Sequence, residues 1–295
     1  MQNESSALFS LSYLPLLIRL RCCETARLPA FLGSTLHGAV GWALQSNRAV
    51  YQYLYENGKS RGDGRDIGNP YLLEPPVENR TVYQEGEELR FRFVLLGDAV
   101  QYAPEFIKAL AKIKELRLGV GRKKFELQEI MQAGRLESLW KKEAEDCVSK
   151  IEIENLADEP PVICRNFAML LKTPLRIRRE GKLLTELDFP TVIRNITKRI
   201  QSLTERYGGK ADLEEAGRLC LLAERIQMTS CEMSVKQLER YSNRRGEKMD
   251  FSGILGSMTC EGDLTPFTPW LGAAQVLHIG RNVTFGFGKV DLVFW

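Results

Sequence analysis

The chain has 295 residues, a formal net charge of +3, 44% hydrophobic residues and 27% charged residues. This composition is typical of an ordinary globular protein and excludes a disordered or fibrous chain. A chain of this length favours two domains, because single hydrophobic cores usually stop growing earlier. The longest apolar run near the N-terminus, residues 13–20, is too short to span a bilayer, and no small-residue cleavage site follows it. We therefore expect no membrane segment, no signal peptide and a cytoplasmic location.

Cysteine and histidine usage limits the chemistry. The chain has seven cysteines, an odd number with no C-x-x-C pair, and only two histidines, His37 and His278. Zinc sites usually need paired ligands of these types, so we expect no bound metal and cysteines that are buried, reduced thiols. Any histidine-dependent reaction must use one of these two histidines.

The hydrophobic pattern of the first half predicts alternating strands and helices. Apolar residues repeat at helical spacing after Gly33, residues 90–96 begin with polar and apolar alternation, and residues 57–76 are rich in glycine and proline. In chain order, the predicted elements are a strand over 9–22, a helix from 33, a loop over 57–76, a strand over 90–96, a helix over 102–116, and a glycine turn with a short strand over 119–127. This order is that of the ferredoxin-like βαββαβ arrangement.

The second half repeats this order. Charged residues crowd 137–150, and we place the boundary there, between domains 1–140 and 150–295. The elements predicted beyond it are a strand over 167–177, a helix over 189–207, a helical insertion over 210–239, a strand over 251–259, a helix over 266–277 and a strand over 289–294. The sequence therefore predicts an α+β protein with two tandem ferredoxin-like, RRM-like domains.

The two halves also share a motif near their ends. Gly97-Asp98 precedes a predicted helix and then G-V-G-R-K-K-F-E-L from residue 119. Gly262-Asp263 likewise precedes a predicted helix and then G-F-G-K-V-D-L from residue 286. Internal duplication is the economical explanation.

The last part of the chain suits a phosphate. Gly280, Gly286 and Gly288 stand there beside the cations Arg281 and Lys289. Glycine lets a backbone approach a phosphate closely, and the cations supply charge. A dinucleotide fingerprint is excluded because its glycines open a helix, whereas a strand is predicted here, and no Walker motif occurs. The alternative is a tight turn that leads into an edge strand.

Longer motifs carry a family resemblance. They are L-P-A-F-L-G-S-T-L-H-G-A-V-G-W-A-L (28–44), R-Y-S-N-R-R (240–245), G-I-L-G-S-M-T-C-E-G-D-L-T-P-F (253–267) and H-I-G-R-N-V-T-F-G-F-G-K-V (278–290). In combination they resemble the CRISPR-associated endoribonucleases of the RAMP superfamily that process precursor crRNA. The resemblance covers most of the chain and leaves out residues 57–76 and 210–239.

This resemblance implies a metal-independent, cofactor-free cut in which the 2′-OH of the RNA attacks the adjacent phosphate and leaves a 2′,3′-cyclic phosphate and a 5′-OH. Histidine, tyrosine, lysine and arginine would then move protons and stabilise charge.

His37 stands where family members often carry a catalytic histidine, and its place in the helix pattern turns it away from the core. The alternative is that His37 is an ordinary helix residue whose ring has its hydrogen bonds satisfied within the protein. Arg19 and Arg21, on one face of the first strand, are the candidate catalytic cations; their alternative is that of solvated surface cations or binding contacts. The sequence departs from the family in one respect: no tyrosine stands about one strand length before His37, where some members place a partner, so the general base stays open.

The RNA-binding candidates are the glycine-rich end and the basic clusters. They are Gly280, Arg281, Gly286, Gly288, Lys289, His278, Arg240, Arg244, Arg245, Arg122, Lys123 and Lys124. For His278, its place at a helix end favours the alternative that it caps the preceding helix. Further cations lie at 176–179 and 194–199, apart from the acidic stretches, which predicts a basic face suited to a phosphate backbone.

Two other functions stay open. The chain could be a RAMP protein that holds crRNA as a non-catalytic effector subunit, or a small-molecule enzyme that uses its glycine turns for a nucleotide. For the endoribonuclease and for the crRNA-holding subunit, the expected partners are CRISPR repeat RNA or crRNA and other CRISPR-associated effector subunits.

Overall fold

The computed structural model describes residues 8–56, 68–144, 150–157, 160–242 and 246–295. They form an α+β protein built on two antiparallel sheets, each with helices packed against one face. Part of the predicted loop, residues 57–67, and the RNA-binding candidates Arg244 and Arg245 lie outside the described residues.

The first half is organised around one long central strand. Its strands and helices are β1 (Phe9–Cys22), β2 (Ala26–Arg27), α1 (Gly33–Leu44), α2 (Arg48–Tyr51, continued by a wider turn over Gln52–Glu56), β3 (Tyr71–Glu74), β4 (Val82–Tyr83), β5 (Glu88–Leu96), α3 (Ala103–Ile113), β6 (Glu115–Leu118), β7 (Lys123–Gln132), β8 (Glu137–Lys141) and β9 (Glu154–Ala157). The sheet order is β3-β5-β1-β7-β6. The sequence β1-α1-β3-β5-α3-β7 is therefore a βαββαβ unit with β1 inside the sheet.

Residues alternate between the two faces of β1. Leu16, Ile18 and Leu20 are fully buried in the core that also holds α1 and α3. The residues between them point to the opposite face of the sheet, as the two-residue period of a strand requires.

The second half repeats the arrangement. Its elements are β10 (Asn166–Leu171), β11 (Arg178–Arg179), β12 (Lys182–Leu183), α4 (Phe189–Tyr207), β13 (Lys210–Ala211), α5 (Leu213–Leu222), β14 (Gln227–Lys236), β15 (Glu239–Ser242), β16 (Glu247–Asp250), β17 (Gly253–Glu261), α6 (Thr268–Leu277) and β18 (Val290–Phe294). The sheet order β14-β17-β10-β18 matches that of β3-β5-β1-β7. Two ferredoxin-like units in tandem are confirmed, and their equal strand order is what internal duplication predicts.

Three predicted elements need correction. The predicted loop over 57–76 contains the buried strand β3, which the flanking Pro70 and Pro75 concealed. The insertion over 210–239 is helical in α5 and in the 3₁₀ turn Ala223–Arg225 that follows it. Its remaining long element, β14, is a largely exposed strand with too few apolar residues to show its period. The helix predicted to reach residue 116 ends at 113, because Lys114 adopts a left-handed conformation and β6 begins.

The two halves are joined by more than the linking chain. β9 and β13, both from beyond residue 150, pair with the first part of β1. In addition, residues 280–288, here called the C-terminal glycine loop, pack between α1 and β3. We keep the region 140–150 as the proposed boundary between the two halves.

Candidate active site

His37 lies in the second turn of α1. Leu36 and Val40 on the same helix are fully buried, whereas His37 is half-buried. This is the orientation that the helix pattern predicted. The imidazole therefore lies at the border between the core and the surface.

Aromatic side chains surround the imidazole. The Tyr71 hydroxyl on β3 lies 2.8 Å from His37 Nε2, and the Tyr55 hydroxyl donates a hydrogen bond of 2.9 Å to the His37 carbonyl. The rings of Tyr55 and Phe285 approach the imidazole to centroid distances of 4.8 and 4.2 Å. Three separate segments of the chain thus fix the position of one histidine.

This environment keeps His37 neutral. Burial, together with the positive charge of Arg240, lowers the pKa of His37 from 6.5 to about 3. Burial also raises the pKa of Tyr55 and of Tyr71 well above the ordinary value of 10, so both phenols keep their protons. At neutral pH the site therefore holds an uncharged imidazole beside two protonated tyrosines.

Arg240 brings a cation to the same site. Its guanidinium carbon lies 4.6 Å from the centroid of Phe285 and 5.3 Å from that of Phe251. Cation–π contacts of this kind hold a guanidinium over the face of an aromatic ring. Since Phe285 also contacts His37, this one ring lies between the imidazole of the first half and the cation of the second.

The glycines of the C-terminal glycine loop pack against protein. A Cβ on Gly286 would lie 2.2 Å from Pro75, and one on Gly288 would lie 1.8 Å from the Ile279 carbonyl oxygen; both residues have positive φ. A Cβ on Gly280 would lie 2.8 Å from the Arg176 carbonyl oxygen. Packing alone requires these three glycines, so we do not carry them into the proposed RNA surface.

His278 and Lys289 belong to an ionic cluster between the halves. His278 is fully buried, with Nδ1 3.0 Å from the Phe287 carbonyl and Nε2 3.3 Å from Glu74. Lys289 Nζ lies 2.6 Å from the same carboxylate. These two partners hold the pKa of Glu74 at about 2 in spite of its burial. The proposed RNA contact of His278 is therefore corrected: its ring is interior and holds the two halves together.

Arg19 and Arg21 do not join His37. They lie on the face of β1 opposite to the core residues that pack against α1. Arg19 pairs with Glu88 at 2.6 Å and with Glu129 at 2.5 Å, and Arg21 is exposed. The common strand face was predicted correctly, but the structure places that face away from the imidazole. The catalytic role proposed for these arginines is therefore corrected to that of surface cations.

The remaining basic candidates are dispersed. Arg122 and Arg281 are exposed. Lys123 pairs with Glu24 at 2.8 Å, and Lys124 pairs with Glu115 at 2.9 Å. Of the cations at 176–179, Arg176 is buried and pairs with Asp250 at 2.7 Å. A sequence cluster of cations is thus a weaker indicator of a basic face than it appeared, because some of its members are structural.

Tyr71, Tyr55 and Phe285 were not identified as site residues from the sequence. Only Tyr71 could have been found from a local pattern, because Y-L-L-E between Pro70 and Pro75 is the apolar run of the predicted loop over 57–76. Its contact with His37 spans 34 positions, which no local pattern reveals.

Over the described residues, no helix has the length and apolarity that crossing a bilayer requires. In the same part of the chain, no group of three or more histidine, cysteine, aspartate or glutamate side chains is arranged to hold a metal ion.

Two family models match the chain. Residues 11–153 match AF_1859_N, described as an N-terminal domain, and residues 169–290 match the CRISPR-associated endoribonuclease Cas6. No curated protein matches the chain.

Solved structures are similar over nearly the whole chain. A Thermus thermophilus Cas6 in a product complex is 15% identical with a TM-score of 0.63, covering 95% of this chain and 100% of that one. A second Cas6 product complex is 18% identical with a TM-score of 0.58, covering 96% and 99%. A partial Cas6-RT-Cas1–Cas2 complex is 13% identical with a TM-score of 0.61, covering 98% and 47%. At these identities the likeness establishes the shared fold.

Proposed function

Because the chain belongs to the Cas6 family, whose model its residues 169–290 match, we propose that it is an endoribonuclease that binds CRISPR repeat RNA and processes precursor crRNA. The solved relatives include Cas6 proteins in complexes with cleavage product and with a substrate mimic, which supports an RNA substrate. The protein would act in the cytoplasm on a transcript released there.

The proposed reaction uses the RNA's own nucleophile. The 2′-oxygen before the scissile bond forms a bond to phosphorus, the bond from phosphorus to the 5′-oxygen breaks, and the proton lost by the 2′-OH is balanced by the proton gained at the 5′-oxygen. The products are a 2′,3′-cyclic phosphate and a 5′-OH. The protein then needs to position the RNA, assist the proton movements and stabilise the extra negative charge, and a metal ion is not required for any of these tasks.

One observation carries the assignment of the site. A neutral, half-buried imidazole, His37, contacts the same aromatic ring, Phe285, that the guanidinium of Arg240 contacts. His37 supplies the hydrogen-bonding and proton-transfer group, and Arg240 supplies the positive charge that faces the phosphate. The exposed Arg122, Arg281 and Arg21 are left as contacts for the RNA backbone.

Cleavage of repeat RNA in EDTA tests this proposal. We expect a cyclic phosphate on the upstream product, and no cleavage but unchanged binding when the scissile nucleotide carries a 2′-deoxy ribose. Normal cutting of the deoxy substrate would overturn the mechanism. Binding without any cutting of the unmodified RNA would instead support the non-catalytic crRNA-binding subunit.

The role of His37 has its own test. His37→Ala should lower the single-turnover cleavage rate by ~10²-fold or more, the usual contribution of a positioned acid or base. Binding should hardly change, because phosphate contacts dominate the affinity. The control is Gln45→Ala, at an exposed position at the end of the same helix, which should cut at the wild-type rate. A wild-type rate for His37→Ala would remove His37 from the mechanism.

Further CRISPR-associated proteins are the proposed partners. Structures of Cas6-RT-Cas1–Cas2 complexes are among those with the same fold, which supports assembly with other CRISPR components. The prediction is that the processed crRNA stays bound and is passed on within such an assembly.

A further inference from the structure

We propose that Arg176 is a positioning residue that fixes Arg240 at the candidate active site, because it links the base of the β15–β16 hairpin to the C-terminal glycine loop. The effect of this link on cleavage rests on the proposed function, whereas the link itself does not.

Arg176 is a buried cation that contacts two residues of one short segment. It follows β10 and is only 5% exposed. Its Nη2 lies 2.7 Å from Asp250 Oδ2, and its Nη1 donates a hydrogen bond to the Ser252 carbonyl. The exposed Arg178 approaches the same Asp250 oxygen only to 3.4 Å. The planar fork of the Arg176 guanidinium therefore holds the residues on both sides of Phe251.

Phe251 closes the base of the hairpin. Its N–H donates a hydrogen bond of 2.8 Å to the Leu238 carbonyl, and the Leu238 N–H donates to Ser252 Oγ at 3.3 Å. Beyond this closed end, Arg240 lies opposite Met249 in the β15–β16 ladder. Arg240 is thus only two residues from Leu238, where the hairpin is closed.

Arg176 also holds the C-terminal glycine loop. Its carbonyl accepts a hydrogen bond of 2.8 Å from the Arg281 N–H. The same loop carries Phe285, whose ring centroid lies 5.2 Å from that of Phe251. The Arg240 guanidinium contacts both of these rings. Arg176 therefore connects the two segments that supply the aromatic contacts of Arg240.

The geometry of this link requires an arginine. A lysine ammonium is a point charge, so it can pair with Asp250 but does not reproduce the fork that also binds the Ser252 carbonyl. The cost of desolvating a buried cation offsets much of the gain from its ion pair, so such a pair is a weak source of stability. What the guanidinium supplies is a defined position of the hairpin base, and a charge that faces a phosphate needs such a defined position.

Hydrogen exchange of the free protein tests the link without RNA. Arg176→Lys should speed exchange of the Phe251 amide about tenfold or more and leave the amides of α4, in the same half, at their wild-type rates. Asp250→Ala removes the same contact from a half-exposed position, so it is the second variant if the first does not fold, and it should have the same effect. Wild-type exchange at Phe251 in the folded variant, or an equal increase at Phe251 and in α4, would overturn the proposal.

The control for the arginine-to-lysine change is Arg218→Lys. Arg218 binds both carboxylate oxygens of Glu215 on α5 at 2.6 and 2.7 Å. The variant therefore loses a forked contact elsewhere in the same half. It should keep wild-type exchange at Phe251 and the wild-type cleavage rate. Faster exchange at Phe251 in this control would contradict a specific link through Arg176.

Cleavage rates test whether the effect passes through Arg240. Arg176→Lys should lower the single-turnover rate at saturating protein about tenfold, because a small misplacement of a charged group is costly. In an Arg240→Ala background the same change should lower the rate no further, since the cation that it positions is gone. An equal fall in the two backgrounds would overturn the positioning role, because a general loosening of the fold would act in both.

These measurements distinguish the link from the proposed function. A wild type that does not cut repeat RNA would refute the proposed function, and exchange at Phe251 would then decide on the link alone. A wild type that cuts, with Phe251 exchange unchanged in Arg176→Lys and Asp250→Ala, would refute the link and leave the proposed function intact.

Discussion

The two glycine-rich turns occupy equivalent places in the two halves and have opposite surroundings. Residues 119–122, here called the N-terminal glycine turn, reach the surface after Gly119, on which a Cβ would lie 2.8 Å from Leu28. Val120 and Arg122 are exposed, and a Cβ on Gly121 would approach nothing closer than 3.6 Å. In the C-terminal glycine loop, Phe287 is fully buried, and a Cβ on Gly288 would lie 1.8 Å from a backbone oxygen.

The difference shows how a duplicated unit can acquire a site that neither copy contains alone. The first half supplies His37 and Tyr71, and the second supplies Phe285 and Arg240. The C-terminal glycine loop brings these two pairs of residues together, because its backbone packs directly against α1. A Cβ on Gly33 of α1 would lie only 1.8 Å from the Phe285 carbonyl oxygen. Correct docking of the halves is therefore a condition for the geometry at His37.

The largest expected effect comes from breaking this docking. Gly288 has a φ of +71° and no room for a Cβ, so Gly288→Val should lose on the order of 5 kcal/mol or fail to fold. The measurement is thermal unfolding followed by circular dichroism. A variant that melts like the wild type but has lost RNA binding would show that the glycine serves the RNA and not the packing.

The matched control lies in the other half. Gly121→Val places the same side chain in the N-terminal glycine turn, at a position whose own surroundings are open. Its stability should stay within about 0.5 kcal/mol of the wild type. Equal destabilisation of the two variants would contradict the contrast between the two turns.

The ionic cluster next to the loop should give the second largest effect. The pKa of Glu74 falls from 4.5 to about 2 in the folded protein, a difference worth on the order of 3 kcal/mol at neutral pH. Because the folded pKa is the lower one, this stabilisation is present above pH 4.5 and is lost as the pH falls toward 2. Urea unfolding at pH 7, 5 and 3.5 should show Glu74→Gln destabilised at pH 7, with the difference from wild type shrinking in acid.

Glu115 offers the comparison in the first half. Its pair with Lys124 is more exposed, and exposed pairs contribute at most about 1 kcal/mol. Glu115→Gln should therefore change stability little at any of these pH values. A constant difference between wild type and Glu74→Gln from pH 7 to 3.5 would contradict the assignment of the low pKa to the buried carboxylate.

Much of the fold could be predicted from the sequence, because the signals are local. The apolar periods of β1, α3 and α4 and the repeated Gly-Asp and glycine-turn motifs led to two ferredoxin-like units. β3 and β14 were not predicted, for opposite physical reasons. β3 is short, fully buried and flanked by proline, whereas β14 is exposed and polar. Neither shows the alternation that identifies a strand with one buried face.

The site was only partly predictable, because its contacts are between distant segments. The helix period correctly turned His37 out of the core, and the strand period correctly placed Arg19 and Arg21 on one face. The hydrophobic period of a helix or strand shows which residues share a face, but it does not show which other segment of the chain packs against that face. The partner of His37 comes from β3 and the neighbouring cation from β15, and both depend on how the two halves dock.

A change within the loop that preserves the fold should have a smaller, kinetic effect. Phe285→Leu keeps an apolar side chain but removes the ring between His37 and Arg240. A small misplacement of reacting groups is costly, so the single-turnover rate should fall about tenfold while the melting temperature changes little. Val120→Ala, in the N-terminal glycine turn, should leave both quantities at their wild-type values. A wild-type rate for Phe285→Leu would separate the loop from the catalytic geometry.

The smallest expected effect distinguishes a cation that binds RNA from one that also belongs to the site. Arg122 is exposed at the N-terminal glycine turn, so Arg122→Ala should weaken binding modestly, with the slope of log affinity against log salt falling by about one unit or less. The cleavage rate of Arg122→Ala at saturating protein should equal that of the wild type.

Arg240 lies against Phe285, so Arg240→Ala should weaken binding and should also lower the cleavage rate at saturating protein. Binding measured over a series of salt concentrations, together with single-turnover rates, gives both quantities for each variant. If both variants lost only affinity, the cation of the second half would be a binding contact like that of the first, and the chemistry would rest on His37 and its tyrosine.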